Sequence, residues 1–442
     1  MTGSPPARKA TALQLVFLTY AVICSGAYGL EEMVGSAGPG MALVTLIVLP
    51  FVWAAPIALA CAELAARHPV EGGYYRWARL AFGDFVGYLA GWLIWVANFT
   101  TNAAFAVLFA SYLRYWVPEM SRLAHFLIAA SLVWFTTFLN WRGITLVGRA
   151  AVALTLFVFT PFVLLTVMGL WGWRFDPFVP FVNPEHDTLS AFAAGLGIAI
   201  WLYSGFEKLT VNAEEVENPA RAFPLALALA VPMVAASYVL PTLAALAASG
   251  DWSAWGEAYF SQAAANVGGP ALGHLMAAGA LASNACILMV TTLGQSRLPM
   301  VLAEDGLFPR AFARQHPRFG TPVVSLLVGA IVLTALSGLR FAHLAGLFSL
   351  VQAMAYMLIY ATLLRLRRRA TQEGATHGGF RIPLGNGGLV ALMVPSVILA
   401  VLVLLSSVWH DGAFDGRQAL VDAVVLASGP LTYFWFRRGR SA

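Results

Sequence analysis

Two short stretches place carboxylates beside Ser-Gly pairs in apolar surroundings. The first reads Ile23-Cys24-Ser25-Gly26-Ala27-Tyr28-Gly29-Leu30-Glu31-Glu32, the second Ile200-Trp201-Leu202-Tyr203-Ser204-Gly205-Phe206-Glu207-Lys208. A glycine weakens a helix by about 1 kcal/mol relative to alanine. A charge at mid-membrane depth costs roughly 2.5–3.5 kcal/mol on insertion scales. Both costs at one depth call for a reason, and a binding site supplies one. An unwound segment frees backbone N–H and C=O groups to hold a solute, and the half-helix ends add fixed partial charges. A buried carboxylate such as Glu207 can trade a proton for an ammonium group.

Plainer readings stand beside these. Glycines also let helices pack closely. Glu31 and Glu32 suit the first turn of a helix, where the dipole favours acids. Glu207 and Lys208 adjoin in sequence and so do not face each other on a helix. Lys208 can pair with a carboxylate across the site, gate the pathway or snorkel outward. Asn98, Thr101, Asn102 and Asn284 are polar residues inside apolar segments, where such groups often bond neighbouring helices. Tyr28, Tyr203, Phe206 and Tyr356 can stack on an amine or close a site. The eight histidines are scattered, and no paired metal ligands, phosphate-cradling loop or nucleophile elbow emerges. No enzyme, metal or cofactor is expected.

The elements that must position these residues are membrane helices. The chain has 442 residues, 60% hydrophobic and 11% charged, whereas a soluble domain carries about 25% charged residues. Twelve candidate spans lie near 11–36, 39–66, 84–117, 121–141, 144–172, 189–215, 222–248, 268–298, 322–338, 341–364, 388–409 and 418–436. With the N-terminus inside, cytoplasmic segments hold 20 of the 26 Lys and Arg residues, outside segments hold 5, and Lys208 lies within a span. That split predicts cytoplasmic termini, and it places the positive charge in orientation-setting loops, which argues against nucleic acid as a partner. The three cysteines lie in apolar segments and read as buried hydrophobes. No removable signal peptide is read before the first span.

Interrupted segments in the first and sixth spans are the pattern of a transporter built from two five-helix repeats of inverted topology. The expected division is a tail over 1–10, repeats over 11–172 and 189–364, two further helices over 388–436 and a tail over 437–442.

The chain resembles the amino acid–polyamine–organocation superfamily of transporters, and within it the polyamine-uptake and L-type amino acid transporter branch. The motifs are Ser25 through Glu32 with Gly38-Pro39, Glu63-Leu64 through Pro69-Val70-Glu71-Gly72-Gly73-Tyr74-Tyr75, and Ala213-Glu214-Glu215-Val216-Glu217-Asn218-Pro219. Then follow Ala303-Glu304-Asp305-Gly306-Leu307-Phe308-Pro309, Gly320-Thr321-Pro322 and Phe380-Arg381-Ile382-Pro383-Leu384-Gly385. The resemblance implies an all-α polytopic fold of the leucine-transporter-like kind, with alternating access around a midplane site. It implies that backbone at Ser25–Gly29 holds substrate, that Glu207 serves amine recognition or proton coupling, and that Asn102 contacts substrate. The first break departs from the common Gly-Ser-Gly-Ile-Phe, the fifth span has no lysine, and Lys208 beside Glu207 is unexpected.

The expected function is secondary transport of amino acids or polyamines across a cell membrane, proton-coupled, with a cationic amine slightly favoured. Substrate contacts are expected from Ser25, Gly26, Ala27, Tyr28, Gly29, Glu31, Asn102, Tyr203, Ser204, Gly205, Phe206 and Glu207. Coupling or gating is expected from Glu207, Lys208 and Tyr356. The alternatives are a neutral amino acid exchanger, or a channel or sensor on the same fold.

Overall fold

A computed structural model describes residues 11–24, 26–70, 72–143, 147–208, 216–373, 379–410 and 413–438. Ser25 and the stretch 209–215 therefore lie outside the described residues, as do the tail 1–10 and residues 439–442.

The first expected span is two helices. Helix α1 (Ala12–Ile23) opens on a capping box between Thr11 and Gln14, and α2 (Glu31–Ala37) resumes eight residues later. Gly38, at φ 93°, turns the chain into α3 (Pro39–Leu49). A Cβ on Gly38 would stand 2.5 Å from the Asn183 backbone nitrogen, so the turn requires glycine. A π-helical turn, Pro50–Ala54, joins α3 to α4 (Ala55–Arg67). Pro50 and Pro56 lack the N–H groups that a regular ladder needs, and a wide turn accommodates the gap.

An amphipathic helix absent from the sequence expectations, α5 (Gly73–Phe82), crosses before α6 (Asp84–Tyr112). Then come α7 (Arg122–Arg142) and α8 (Val147–Trp171). The sixth expected span, 189–215, is described as helix only over α9 (Thr188–Leu202), capped by the Asp187 side chain. After it follow α10 (Pro219–Ser249), α11 (Phe260–Gly268), α12 (Pro270–Glu304), α13 (Val323–Leu336) and α14 (Phe341–Gln372). The stretch expected as loop near 249–267 thus contains most of α11, and α14 runs eight residues beyond its expected end. Helices α15 (Asn386–Val408) and α16 (Gly416–Arg438) close the chain, joined by a two-residue pairing of 409–410 with 413–414.

Among the described residues, eight helical stretches are long and apolar enough to cross a membrane, and Leu156–Trp171, Thr188–Leu202 and Val323–Leu336 are shorter apolar helices. The most apolar window of α6 is 72% buried, against 22% in α15 and 17% in α16. Helix α6 is therefore central, packed against α12 and α14. The last two helices turn Ile398, Leu405, Val424 and Leu431 outward, the surface a lipid environment accepts.

Candidate functional site

Both breaks are stopped by backbone that only glycine adopts readily. Gly26, Gly29 and Gly205 have φ of 104°, 95° and 112°. A Cβ on Gly26 would meet the Phe162 ring at 2.7 Å, so that position is closed by packing as well as by conformation.

Ending a helix in mid-core leaves carbonyls without partners. Tyr238 on α10 answers this at both breaks. Its hydroxyl lies 3.3 Å from the carbonyl of Ile23, the last residue of α1, and 3.2 Å from that of Leu202, the last residue of α9. Tyr203 donates to the Leu46 carbonyl at 2.7 Å, anchoring the second break to α3. Ser204 accepts from Trp53 Nε1 at 3.2 Å and donates to the Ile200 carbonyl at 2.6 Å. The π-helical turn places Trp53 for that contact. Tyr238 and Trp53 were not singled out from the sequence. The available signal was general: buried break carbonyls need donors, and aromatic residues with polar tips are the usual ones.

A cavity of about 40 Å³ lies between the breaks, bordered by Ile23, Gly26, Tyr28, Leu202, Ser204 and Lys208. Thr101 and Phe105 of α6, Ser283 and Asn284 of α12, and Tyr238 complete its polar and aromatic wall. The volume admits a few waters at roughly 10–15 Å³ each. Trp201 covers it, donating to Thr101 Oγ1 at 2.7 Å and packing edge-on to Phe341 with ring centroids 5.2 Å apart. The Tyr28 ring packs on Phe162 at 4.7 Å, and its hydroxyl donates to the Met276 carbonyl at 3.2 Å.

Of the residues expected at a site, Gly26, Tyr28, Ser204 and Lys208 border this cavity, while Ser25 lies outside the described residues. Ala27, Gly29, Tyr203, Gly205 and Phe206 are in the breaks but do not line it. Glu207, fully buried, turns toward α14, accepting from Tyr356 Oη at 2.6 Å and Gln352 Nε2 at 3.1 Å. Tyr356 Oη also accepts the Gly205 N–H at 2.9 Å. Glu31, also fully buried, accepts from the Gly29 N–H at 2.7 Å, the Phe260 N–H at 3.3 Å and the Tyr112 hydroxyl. It joins the first break to α6 and α11. Asn102 bonds to α12, donating to Gln295 Oε1 at 2.5 Å and accepting from Thr291 Oγ1 at 2.6 Å.

Ionic contacts stand on either side of the cavity. On the α11 side Glu257 accepts from Ser111, and Arg340 lies 3.7 Å from Glu32. Burial pushes the Glu257 carboxyl above the usual carboxylate range, against the opposing effect of its Ser111 hydrogen bond. On the α5 side, Arg367 Nε meets Glu63 Oε1 at 2.6 Å, and the Ile382 N–H reaches Glu63 Oε2 at 2.9 Å. Glu63 and Arg367 are both buried, and they tie α4 to α14 and to the segment after it. A second cavity there, about 340 Å³, is lined by Glu63, Arg67, His68, Arg369 and Glu373 and borders neither break. Among the described residues no group of three or more His, Cys, Asp or Glu side chains converges to hold a metal.

The family model for amino acid permeases matches residues 12–413. A probable polyamine transporter of Arabidopsis thaliana is 32% identical over 447 residues, covering 98% of this chain and 86% of its own. The polyamine transporter PUT1 of Oryza sativa subsp. japonica is 32% identical over 403 residues, covering 91% of this chain and 74% of its own. Among solved structures, MhsT in complex with L-phenylalanine superposes with a TM-score of 0.62 at 14% identity, covering 91% of this chain and 100% of that one. That superposition shows a shared leucine-transporter-like fold.

Proposed function

Because the chain belongs to the amino acid permease family, we propose that this secondary transporter of amino acids or polyamines moves its small amine-bearing solute by alternating access through the cavity between the two breaks. The observation that carries the reading is the cavity's position. It is bordered by Ile23 and Gly26 of one break and by Leu202, Ser204 and Lys208 of the other. Backbone and hydroxyl groups converge there, at the place where an inverted-repeat transporter holds its solute.

Glu207 is proposed as the proton-coupling group. It is a buried carboxylate on one break, hydrogen-bonded to α14 through Tyr356 and Gln352. Loss or gain of its proton changes the strength of those bonds, which would link protonation to the position of the break. The chain is proposed to pass the cell membrane twelve times with both termini cytoplasmic, α5 and the Glu63–Arg367 pair lying on the cytoplasmic side. Two five-helix repeats and two additional helices make up the division. The basic residues alternate between loops as that topology requires.

The test is uptake of labelled putrescine, spermidine and an amino acid panel into proteoliposomes, with and without a pH gradient. Saturable uptake with counterflow of an amine-bearing solute is expected. Uptake of no amine would remove the reading, and conduction without saturation or counterflow would replace the carrier with a channel.

A further inference from the structure

The charges around the central cavity have the opposite sign from what two acid-bearing breaks lead one to expect. Neither Glu31 nor Glu207 borders the cavity. Glu207 is held by Gln352 and Tyr356 on α14, and Glu31 by Gly29, Tyr112 and Phe260. Among the described residues bordering the cavity, Lys208 is the one charged side chain.

Its placement follows from Gly205. The lysine chain lies against the face of Gly205 where other residues carry a Cβ. An atom there would stand 3.6 Å from Cδ and Cε and 3.8 Å from Nζ. The ammonium is thus turned back toward the break; the neighbouring Glu207 carboxylate attracts it, but no close ion pair among the described residues includes it. A cation in a small, partly buried cavity is favoured by an anion joining it. The rest of the wall is uncharged, with polar side chains such as Thr101, Ser204, Ser283 and Asn284 and aromatic ones such as Tyr28 and Trp201. These groups suit an amine, through hydroxyl acceptors and the aromatic face. They offer nothing of opposite charge to a carboxylate, whereas Lys208 does.

We propose that Lys208 is the specificity-determining residue that receives the solute's carboxylate, so that the carrier selects an amine bearing a carboxylate over the same amine without one. This deepens the transporter reading above and rests on it. It also separates this chain from what the names of its plant relatives carry, since a polyamine has no carboxylate to offer.

Pairs of compounds differing only by that group supply the test: ornithine against putrescine, lysine against cadaverine and arginine against agmatine. Uptake and counterflow are measured in proteoliposomes of the full chain, with ligand-induced thermal stabilisation in detergent as a second readout. The wild type is expected to prefer the carboxylate-bearing member of at least one pair by roughly tenfold or more, the scale of a hydrogen bond between charged groups. Lys208→Met is expected to lose that preference, and Lys208→Arg to keep most of it, which separates loss of charge from loss of fold. Wild-type uptake of the decarboxylated amine as good as or better than its partner would overturn the inference and leave the transporter reading standing. So would a Lys208→Met protein that melts like the wild type and retains the preference. Uptake of neither member of any pair, nor of any other amine, would remove the transporter reading itself and this inference with it.

Discussion

The Tyr356 hydroxyl stands 2.6 Å from a carboxylate oxygen of Glu207 and accepts the Gly205 N–H at 2.9 Å. One side chain of α14 therefore holds both the acid of the second break and the backbone that forms it. The Trp53 ring packs beside it, with centroids 5.4 Å apart.

Tyr356→Phe should leave two buried groups short of a partner, at about 1–3 kcal/mol each. The variant should melt earlier in detergent, and uptake should fall by roughly tenfold or more. Wild-type melting and uptake would show that the hydroxyl is incidental to the break.

Glu207→Gln keeps the shape of the side chain and removes its titration. Coupled uptake should be abolished, with counterflow exchange less affected. Uptake that still follows the pH gradient as in the wild type would take Glu207 out of the coupling mechanism.

Gly26→Ala should be worse than Gly205→Ala. Both force a left-handed backbone on alanine, at about 1–2 kcal/mol. At Gly26 the new methyl also meets the Phe162 ring at 2.7 Å, while at Gly205 it meets only the lysine chain at an ordinary 3.6 Å. Overpacking adds about 1–3 kcal/mol at the first site alone. Parallel melting curves of the two variants decide the order.

Arg367→Met should cost about 3–5 kcal/mol, because Glu63 is left as a buried charge without its main partner. A double variant, Glu63→Leu with Arg367→Met, should recover a large part of the lost stability, and the double-mutant cycle isolates the pair.

Glu257, in the loop before α11, gives a pH dependence outside the membrane helices. Its folded-state pKa is raised by burial, so the folded chain binds its proton more tightly than the unfolded chain. Stability from this group is full below the unfolded value and is lost as pH rises through the folded one. Glu257→Gln should flatten that decline and melt later than wild type above it. A wild-type curve that rises with pH across the interval would contradict the assignment.

The breaks were legible from sequence because their signals are local. Gly26, Gly29 and Gly205 interrupt apolar helix beside charges, and all three adopt positive φ. The α5 helix was not legible as a span element because its apolar face serves a junction, burying Tyr74, Tyr75 and Trp77 while Arg76 and Arg79 meet Asp305. The direction in which each acid faces was not legible either. Glu31 and Glu207 each lie two residues after a glycine of their break, but their partners Tyr112, Phe260, Gln352 and Tyr356 come from distant helices. No spacing rule within a break announces them. Tyr238 was hidden for the same reason, since the carbonyls it serves become needy only after α1 and α9 have ended.

A hydroxyl has one hydrogen, and Tyr238 sits almost equidistant from two acceptors, Ile23 O and Leu202 O. The two helix stumps thus compete for a single donor. Whenever one of them shifts by a fraction of an ångström against the other, the bond passes to the nearer stump and the farther carbonyl goes unserved. Helix α10 thereby ties the ends of α1 and α9 to one shared donor, so the position of either stump bears on the hydrogen bond available to the other.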